Sequence, residues 1–464
     1  MSDLIFINLK ITYTNFSPIF IHRIFIIYIK SMAIIENNFN DLGPKEWLPF
    51  QKSFTVFDDL DSLVLSNLRF FTKPSNTPKP MVSSFGSFDF KSSIQAHSDS
   101  LGLNNFPNHD SFDFLAMDLC HDKLNQNSII HWITENATKL NDRKFLWVLM
   151  PTDILNEMGF PYIWELSNQL SNYLTRKDEK IICLPDGKTW TSLYFRKDEN
   201  SELIHPTHIL DPNLNSLSLS FKNWFILKPK PRSKDEILHP AKYPEDLVKL
   251  YVEEFTQKGD TVFDPMSGTG TTQVESLRLE RHAYGIELSE LFHGIAHKRC
   301  SNISMNYDYK IIQGDARDIS TFDLPQFDYV ITSPPYWDML NMKGAEVQAA
   351  RKAKGLQTNY SENVNDLGNL DDYGKFVEVL MEIYKETTIR LKTGGHLTII
   401  VKNIKKKGNH YPLAFDLTEQ LIDFLQLKHV GFWCQDDLQI APFGYKHTWV
   451  SNTFHHYCLT FQKP

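Results

Sequence analysis

The chain has 464 residues, of which 42% are hydrophobic and 22% charged, and its formal net charge is −8. This length exceeds one ordinary domain, and the composition excludes a collagen, a coiled coil and wholesale disorder. The negative charge excludes a protein held on nucleic acid by its overall charge, so such a contact would rest on local basic patches. Two patches are visible, at Lys222–Lys234 and Lys402–Lys407, although charge alone favours a solvated face for each.

The N-terminus carries an apolar run, Ile19–Ile29, that is shorter than the roughly 20 residues a membrane span needs. No small-residue cleavage site follows it, which argues against a signal peptide. A translation start at Met32 would remove the run and is a hypothesis. The five cysteines are scattered without a C-x-x-C pair, so the pattern indicates neither a zinc site nor a disulfide framework. We therefore expect a cytoplasmic protein without a membrane anchor.

The first half of the chain contains no motif from which we infer a chemical function. Residues 73–112 are rich in Ser, Asn, Pro, Asp and Gly, which predicts a loop-rich stretch. Residues 113–228 are more globular, with a buried strand at 145–150 and a helix at 164–174. No internal repeat of fixed period and no second Pro-Pro-Tyr is present, so this half is not predicted to duplicate the other one. We expect an α+β extension over residues 1–223.

From residue 236 onwards, strands and helices alternate. Helical spacing predicts a helix over 243–255, and strands are predicted at 261–264, 283–287, 309–313, 327–332 and 397–401. Helices are predicted between them at 271–279, 289–300 and 376–391, and another at 415–427. The last strands, 430–438 and 457–461, have no helix between them. This order predicts a Rossmann-like α/β domain over 224–464, with a mostly parallel seven-stranded sheet and an antiparallel hairpin at one edge.

Ligands of such sheets bind beyond the carboxyl ends of the strands, so the residues that follow each strand matter most. The first strand runs into Asp264-Pro-Met-Ser-Gly-Thr-Gly-Thr-Thr272. Its glycines allow a tight turn and a close approach to a ligand, and the helix that begins at Thr271 directs free N–H groups there. The spacing fits neither G-x-G-x-x-G nor a nucleoside triphosphate loop.

Acids follow the next two strands. Glu287 ends the second strand, where a carboxylate can accept hydrogen bonds from two ribose hydroxyls. Asp315 follows the third strand and could accept a bond from an adenine amino group. A glycine-rich loop and two acids at three successive strand ends describe a site shaped for adenosine.

The fourth strand runs into Ser333-Pro-Pro-Tyr336. Two prolines fix the backbone and remove two N–H donors, so carbonyl oxygens can point outwards as acceptors. Such a turn could hold a planar ring that bears an amino group: Ser333 Oγ and the Pro334 carbonyl would accept the amino hydrogens, and Tyr336 would stack on the ring. A simple proline-rich loop is the competing interpretation.

Together these motifs resemble the S-adenosylmethionine-dependent DNA amino-methyltransferases, which make N4-methylcytosine or N6-methyladenine. The resemblance covers residues 224–464 and implies a catalytic motif at Ser333, Pro334, Pro335 and Tyr336. It implies S-adenosylmethionine as the cofactor, bound by Asp264, Met266, Gly268, Gly270, Thr271, Thr272, Glu287, Asp315 and His239, and it implies no metal. Serine in the first motif position resembles the N4-cytosine pattern, and the target base would be flipped out of the DNA.

Several alternatives stay open. The target could be N6 of adenine in DNA or a base in RNA, and a catalytically inactive nucleic-acid-binding protein is an alternative of another class. Sequence recognition would come from residues 1–223 or from an insertion at Asp338–Asp372, which carries Lys343, Arg351, Lys352 and Lys354. The implied setting is restriction-modification or phage defence, with a cognate restriction endonuclease as a possible partner.

Overall fold

The computed structural model describes residues 37–120, 125–198, 212–217, 221–231, 243–303, 306–335, 337, 366–406, 408–437, 440, 445–446, 449 and 451–464. The apolar run at 19–29 and the hypothetical start at Met32 lie outside them. None of the described helices is long and apolar enough to cross a bilayer. Two large sheets organise the described residues, one in each half of the chain.

The N-terminal half forms a seven-stranded sheet of order β1-β7-β8-β5-β4-β2-β3. Its strands are β1 Phe54–Val56, β2 Met81–Phe85, β3 Asn104–Asn105, β4 Phe112–Asp118, β5 Leu140–Pro151, β7 Thr175–Cys183 and β8 Thr189–Arg196, and the short β6 Ile154–Asn156 pairs outside this sheet with β9 Pro212–Ser216. Its helices are α1 Pro44–Trp47, α2 Leu60–Phe71, α3 Phe88–Leu101, α4 Gln126–Ala137 and α5 Tyr162–Leu170, and a 3₁₀ turn spans Leu48–Gln51. The prediction of a loop-rich stretch at 73–112 is therefore wrong, because β2 and α3 lie within it.

The C-terminal half forms an eight-stranded sheet of order β10-β18-β19-β15-β14-β11-β12-β13. Its strands are β10 Trp224–Ile226, β11 Thr261–Asp264, β12 His282–Glu287, β13 Tyr309–Gln313, β14 Phe327–Thr332, β15 Leu391–Val401, β18 Gln426–Cys434 and β19 His455–Gln462, and a separate hairpin pairs β16 Ile404–Lys406 with β17 Asn409–Tyr411. Its helices are α6 Glu245–Phe255, α7 Thr271–Arg278, α8 Glu290–Ser301, α9 Tyr373–Arg390 and α10 Leu413–Leu421, with 3₁₀ turns at Ala316–Thr321 and Leu367–Asn369.

This architecture confirms the predicted Rossmann-like fold. All strand pairs of the C-terminal sheet are parallel except those of β19, which runs antiparallel to both β15 and β18. The central strand β14 is buried except at Asp328, as expected of a parallel strand covered on both faces. The sheet has one strand more than predicted, because β10 adds to its edge beside β18.

The two sheets share one topology. The short strand β1 lies at the edge of the N-terminal sheet, parallel to β7, and β10 lies at the edge of the C-terminal sheet, parallel to β18. The remaining strands follow the same order in both sheets, and only β13 has no counterpart in the described N-terminal half. The registers agree as well: Phe112 pairs with Leu140 across β4 and β5, and Phe327 pairs with Leu391 across β14 and β15. Each pair is followed by a register shift at the same step.

The antiparallel strands repeat this agreement. Thr175 pairs with Arg196 in one half and Gln426 with Gln462 in the other, and each pair is followed by a register irregularity at equivalent residues. The prediction that the N-terminal half is not a duplicate is therefore wrong at the level of topology. The sequence hid the repeat because the two halves keep strand order and burial pattern but few residue identities.

The interface between the halves is reciprocal. The Asn452 amide, between β18 and β19, donates to the Gln51 carbonyl ahead of β1, and the Asn223 amide ahead of β10 donates to the Gly187 carbonyl between β7 and β8. At the centre, the thiol of Cys434 contacts the thiol of Cys183, its equivalent in the other half. Equivalent residues that meet, flanked by reciprocal contacts, are the signature of a two-fold interface. The chain is thus arranged like a dimer joined into one polypeptide.

One C-terminal side chain completes the N-terminal core. Trp449 lies in the β18–β19 connection, is 4% exposed, and packs among the aromatic rings of the N-terminal half. Its ring centroid is 4.8 Å from that of Tyr194 and 5.2 Å from that of Phe71. Its indole N–H donates to the Phe50 carbonyl at 3.2 Å. The two halves therefore share a core, and neither is an independent appendage.

Candidate active site

The glycine-rich loop joins β11 to α7 and is fixed against α8. Gly268 and Gly270 have φ values of 54° and 78°, which few residues other than glycine adopt readily. A Cβ at Gly270 would lie 2.8 Å from the Cβ of Ala296, so the loop and α8 are in close contact. The Arg299 guanidinium, also on α8, donates to the Thr269 carbonyl. The first turn of α7 is thereby held towards the carboxyl edge of the sheet.

Asp264 organises this loop from inside. Its side chain is fully buried: one oxygen accepts the Met266 amide at 3.0 Å, and the other accepts the hydroxyls of Thr272 at 2.7 Å and Tyr243 at 3.1 Å. Burial raises the pKa of Asp264 above its ordinary value. These hydrogen bonds join Asp264 and Thr272 to the rest of the loop, so both side chains shape it.

Tyr243 was missed as a site residue when the sequence was read. It lies four residues after His239, a predicted cofactor residue whose neighbourhood could have indicated it, and its hydroxyl also bonds that of Thr272. His239 itself lies outside the described residues.

Glu287 reaches from the end of β12 to the loop. Its two carboxylate oxygens accept the backbone amides of Gly268 and Ser289, each at 2.8 Å. Burial raises the pKa of Glu287 to about 7. The nearby Asp264 and Asp366 carboxylates also raise this pKa, whereas the two hydrogen bonds from the backbone amides lower it. The carboxylate is therefore fixed at the loop, and each oxygen keeps capacity for one further donor.

Gly285, two residues earlier on β12, makes this approach possible. A Cβ there would lie 2.1 Å from Ser267 Oγ and 2.4 Å from Gln273 Nε2. Gln273 in turn donates to both Ser267 Oγ and the Tyr284 carbonyl at 3.0 Å. Only a glycine at this position lets the loop pack on the strand.

Asp315 follows β13 at the same edge of the sheet. It caps the next 3₁₀ turn by accepting the Arg317 amide at 3.0 Å, and the Arg317 guanidinium binds both of its oxygens. Burial opposes its ionisation, but the hydrogen bonds from Arg317 prevail and lower the pKa of Asp315. Asp315 is thus held as a carboxylate beside β12, where Gly314 donates its amide to the Glu287 carbonyl at 3.0 Å.

The serine-proline turn follows β14, the strand next to β11. The chain leaves β11 towards β12 and β13 on one side, and β14 and β15 lie on the other, so the two turns flank the crevice where the strand order reverses. Pro334 is buried, whereas Ser333 and Pro335 are partly exposed. Tyr336 lies outside the described residues. The structure therefore brings the glycine-rich loop, Glu287, Asp315 and Ser333 to one edge of one sheet.

Trp337 directly follows the Ser333-Pro-Pro-Tyr336 motif and packs against the protein. It is 3% exposed, and its ring lies edge-on to those of Tyr373 at 5.2 Å and Tyr411 at 4.9 Å. The Lys406 ammonium lies 4.1 Å from the ring centroid. These neighbours cover the indole, so Trp337 anchors the turn.

Neither predicted basic patch forms a free cationic face among the described residues. In the first, Lys228 and Lys230 pair with Asp436 at 3.5 Å and Asp246 at 3.0 Å. In the second, Lys405 pairs with Asp178, and Lys402 donates to the Thr453 carbonyl at 3.3 Å. Arg232, Lys234, Lys407 and the basic residues of the insertion lie outside the described residues. Within the described part of the chain, no group of three acidic, histidine or cysteine side chains could hold a metal.

Comparisons with known proteins found similarity to DNA methyltransferases. The N6_N4_Mtase family model, described as DNA methylase, matches residues 73–298, which include the glycine-rich loop and Glu287 but end before Asp315 and Ser333. The orphan methyltransferase M.BamHII of Bacillus amyloliquefaciens is 30% identical over 120 residues, covering 25% of this chain and 44% of that protein. The type II methyltransferase M2.DpnII of Streptococcus pneumoniae is 28% identical over 153 residues, covering 31% and 53%.

The chain thus spans about half the length of these two curated relatives. Among solved structures, TrmN from Thermus thermophilus aligns over 87% of this chain and 77% of its own, with 10% identity and a TM-score of 0.33.

Proposed function

Because this chain belongs to the N6/N4 DNA amino-methyltransferase family, we propose that it transfers a methyl group from S-adenosylmethionine to an exocyclic amino group of a DNA base. The observation that carries the proposal is the placement of the Ser333–Pro334 turn and the glycine-rich loop on either side of one crevice. The proposed target is N4 of cytosine.

The residues at the crevice suit S-adenosylmethionine. The Glu287 carboxylate, held by two amides, has an acceptor free for each of two ribose hydroxyls. Asp315 lies one strand further along the same edge, where it could accept a hydrogen bond from the adenine amino group, and the loop at Gly268 and Gly270 allows close backbone approach. When bound, the cofactor would supply an activated methyl group on a sulfonium.

The serine-proline turn, which we also call the target turn, would then act on the base. The amino hydrogens would donate to Ser333 Oγ and the Pro334 carbonyl, which draws the nitrogen towards tetrahedral geometry and frees its lone pair from the ring. No covalent intermediate with the protein is needed, so the rate would depend on positioning. A base in duplex DNA would have to be flipped out to reach this turn, and we expect Tyr336 to stack on it.

The choice of base rests on Ser333, since Asp or Asn in this position would point to adenine. N6 of adenine is therefore the second candidate within the same chemistry, followed by a base in RNA. As two of its curated relatives are named as orphan and type II methyltransferases, we propose modification of DNA in restriction-modification or phage defence, with a cognate endonuclease as partner. A soluble cytoplasmic location follows from this proposal.

The test is transfer of a labelled methyl group to DNA, followed by hydrolysis and separation of the nucleosides. Label in N4-methylcytosine is the expected result, and label in N6-methyladenine would keep the chemistry but reject the assignment of the base. Label in RNA alone would reject DNA as the substrate. Cofactor binding without transfer to any nucleic acid would favour an inactive binding protein instead.

A further inference from the structure

The N-terminal half repeats the fold, but the crevice equivalent to the proposed cofactor site is closed. Between β2 and α3 only Gly86 and Ser87 intervene, whereas residues 265–270 separate β11 from α7. A Cβ at Gly86 would lie 2.7 Å from the Asp118 Cβ, so the two turns that should flank a crevice touch each other. Asp118 occupies the position of Ser333, is 2% exposed, and accepts the Ser87 hydroxyl and the Cys120 amide at 2.9 Å.

A charged contact joins this closed half to the catalytic half. Glu179 on β7 is 2% exposed and accepts two hydrogen bonds from Asn403 Nδ2 at 3.0 Å and one from the Tyr457 hydroxyl at 2.8 Å. His455 Nε2 lies 3.3 Å from the same carboxylate. The neighbouring Asp178 pairs with Lys405. Buried carboxylates with this many donors are held firmly in place.

The contact exists on one side of the pseudo-symmetric interface. By the shared registers, Val430 occupies the position of Glu179 in the C-terminal half, and Thr152 and Ile154 occupy those of Asn403 and Lys405. These three equivalent positions therefore carry no charged side chain, whereas Glu179 and Lys405 do on the side of the proposed cofactor crevice. This asymmetry indicates that the contact serves the site rather than the interface alone.

The contact leads directly to the target turn. Asn403 and Lys405 begin the β16–β17 hairpin, and Lys177 on β7 donates to the Gly408 carbonyl at its tip at 3.4 Å. From the same hairpin, Lys406 and Tyr411 pack on Trp337, which immediately follows the motif at 333–336. Lys177, Asp178 and Glu179 of β7 therefore hold the β16–β17 hairpin, and this hairpin in turn packs on Trp337 beside the target turn.

We propose that the N-terminal half is a cofactor-free copy of the fold that positions the target turn, with Glu179 as the positioning residue. Glu179 is not among the residues proposed to bind the cofactor or the target base, and it acts through Asn403 and the hairpin. The inference rests on the proposed methyl transfer, because positioning is defined by that reaction. A displacement of about 1 Å at such a turn is enough to lower a rate by roughly 100-fold.

The test compares Glu179→Gln with the wild-type chain in single-turnover methyl transfer, cofactor binding by calorimetry, and hydrogen exchange of the amides at 404–411. The matched control is Glu46→Gln, which removes a carboxylate paired with Arg69 on the surface of the same half. Lys177→Ala is a milder second variant, because its side chain is only half-buried and its bond to Gly408 is long, at 3.4 Å. We expect Glu179→Gln to slow transfer by about 10- to 100-fold and Lys177→Ala by a few fold.

Cofactor affinity should stay within twofold in both variants, and hairpin exchange should accelerate only in them and not in Glu46→Gln. A transfer rate within twofold of wild type in Glu179→Gln would overturn the inference. Loss of cofactor binding in step with the rate would overturn it too, since Glu179 would then be a structural residue. If the wild-type chain transfers no methyl group, the proposed function fails; unchanged hairpin exchange in Glu179→Gln would then reject the contact separately.

Discussion

Asp113 and Asp328 make the same hydrogen bond in the two halves of the chain. Each carboxylate accepts, at 2.9 Å, the backbone amide of the first residue of the neighbouring strand, Met81 in one half and Thr261 in the other. Each also pairs with a lysine, Lys144 at 3.6 Å and Lys392 at 2.7 Å. A carboxylate that ties adjacent strands in both sheets is a structural feature of the fold, independent of the crevice that only one half retains.

One cofactor per chain is the first expectation from this asymmetry. The N-terminal crevice is closed by contact between Gly86 and Asp118, whereas a longer connection, residues 265–270, follows the equivalent strand β11 in the C-terminal half. Titration calorimetry with S-adenosylmethionine should give one site per polypeptide, and Glu287→Gln should weaken that site. Two sites of similar affinity would show that the N-terminal half keeps a working pocket.

Cofactor binding should depend on pH through Glu287. Its pKa of about 7 in the free protein leaves it mostly neutral at pH 6 and mostly ionised at pH 8, and ribose hydroxyls donate to the ionised form. Affinity should therefore rise about tenfold from pH 6 to pH 8.

Folding stability should change in the opposite sense. The folded state binds this proton more tightly than the unfolded chain does, so the contribution of Glu287 to the free energy of unfolding falls between pH 4.5 and 7.

Glu287→Gln should flatten the pH dependence of binding; an unchanged slope in this variant would assign the titration to another group.

Gly285→Ala should disable the cofactor loop. The added methyl group would collide with Ser267 Oγ and Gln273, so the loop must move away from β12 and from Glu287. We expect a loss of cofactor affinity of at least about tenfold, since a shift of the loop by about 1 Å breaks the hydrogen bond from the Gly268 amide to the Glu287 carboxylate. Gly294→Ala on α8 is the matched control, because a Cβ there meets nothing within 4 Å, and it should bind normally. Equal affinities in the two variants would refute the account of the loop.

Trp449→Ala should destabilise both halves together. The substitution empties a space among Tyr194, Phe71 and their neighbours, and loss of a buried tryptophan costs about 3–5 kcal/mol. Because the shared core couples the halves, urea unfolding should stay a single transition at a lower midpoint. Phe88→Ala, at a ring that is 80% exposed, should change the midpoint little. Two separate transitions in the wild-type chain would show that the halves fold independently.

The same shared core limits truncation as a way to find the residues that recognise DNA sequence. Removing residues 1–223 would expose Trp449 and leave the β16–β17 hairpin without Glu179. Lost activity in such a fragment would report on folding, so point substitutions are the informative route. The assignment of sequence recognition to the N-terminal half stays a hypothesis.

The sequence predicted seven of the eight strands of the C-terminal sheet because their signals are local. Strands β11, β13 and β14 begin and end where they were predicted, since each is a short apolar run bounded by a turn. The glycine-rich loop and the serine-proline turn were recognisable because their residue types are dictated by backbone geometry. The sequence predicted that β11 ends at Asp264, and it does. The inward orientation of the Asp264 side chain depends on Tyr243 and Thr272, which local patterns do not reveal.

The N-terminal half could not be read in the same way. Its fold depends on long-range strand pairing, and its polar stretches hide a regular helix, Phe88–Leu101, whose buried contacts are Phe90, Ile94 and Ser98. The repeat survives as register and burial, as in Phe112-Asp-Phe114 and Phe327-Asp-Tyr329, and a search for identical motifs passes over it. Glu179 and Asn403 are 224 residues apart, so nothing local marks them as partners.

The central claim is that the turn after β14 performs the reaction and its equivalent after β4 does not. The most direct measurement is single-turnover methyl transfer to DNA by the wild-type chain, Ser333→Ala and Asp118→Asn, with cofactor binding measured in parallel. We predict that Ser333→Ala slows transfer by about 100-fold with cofactor affinity retained, and that Asp118→Asn transfers within twofold of wild type. Full activity in Ser333→Ala, or a rate lost in Asp118→Asn while the cofactor still binds, would contradict the account.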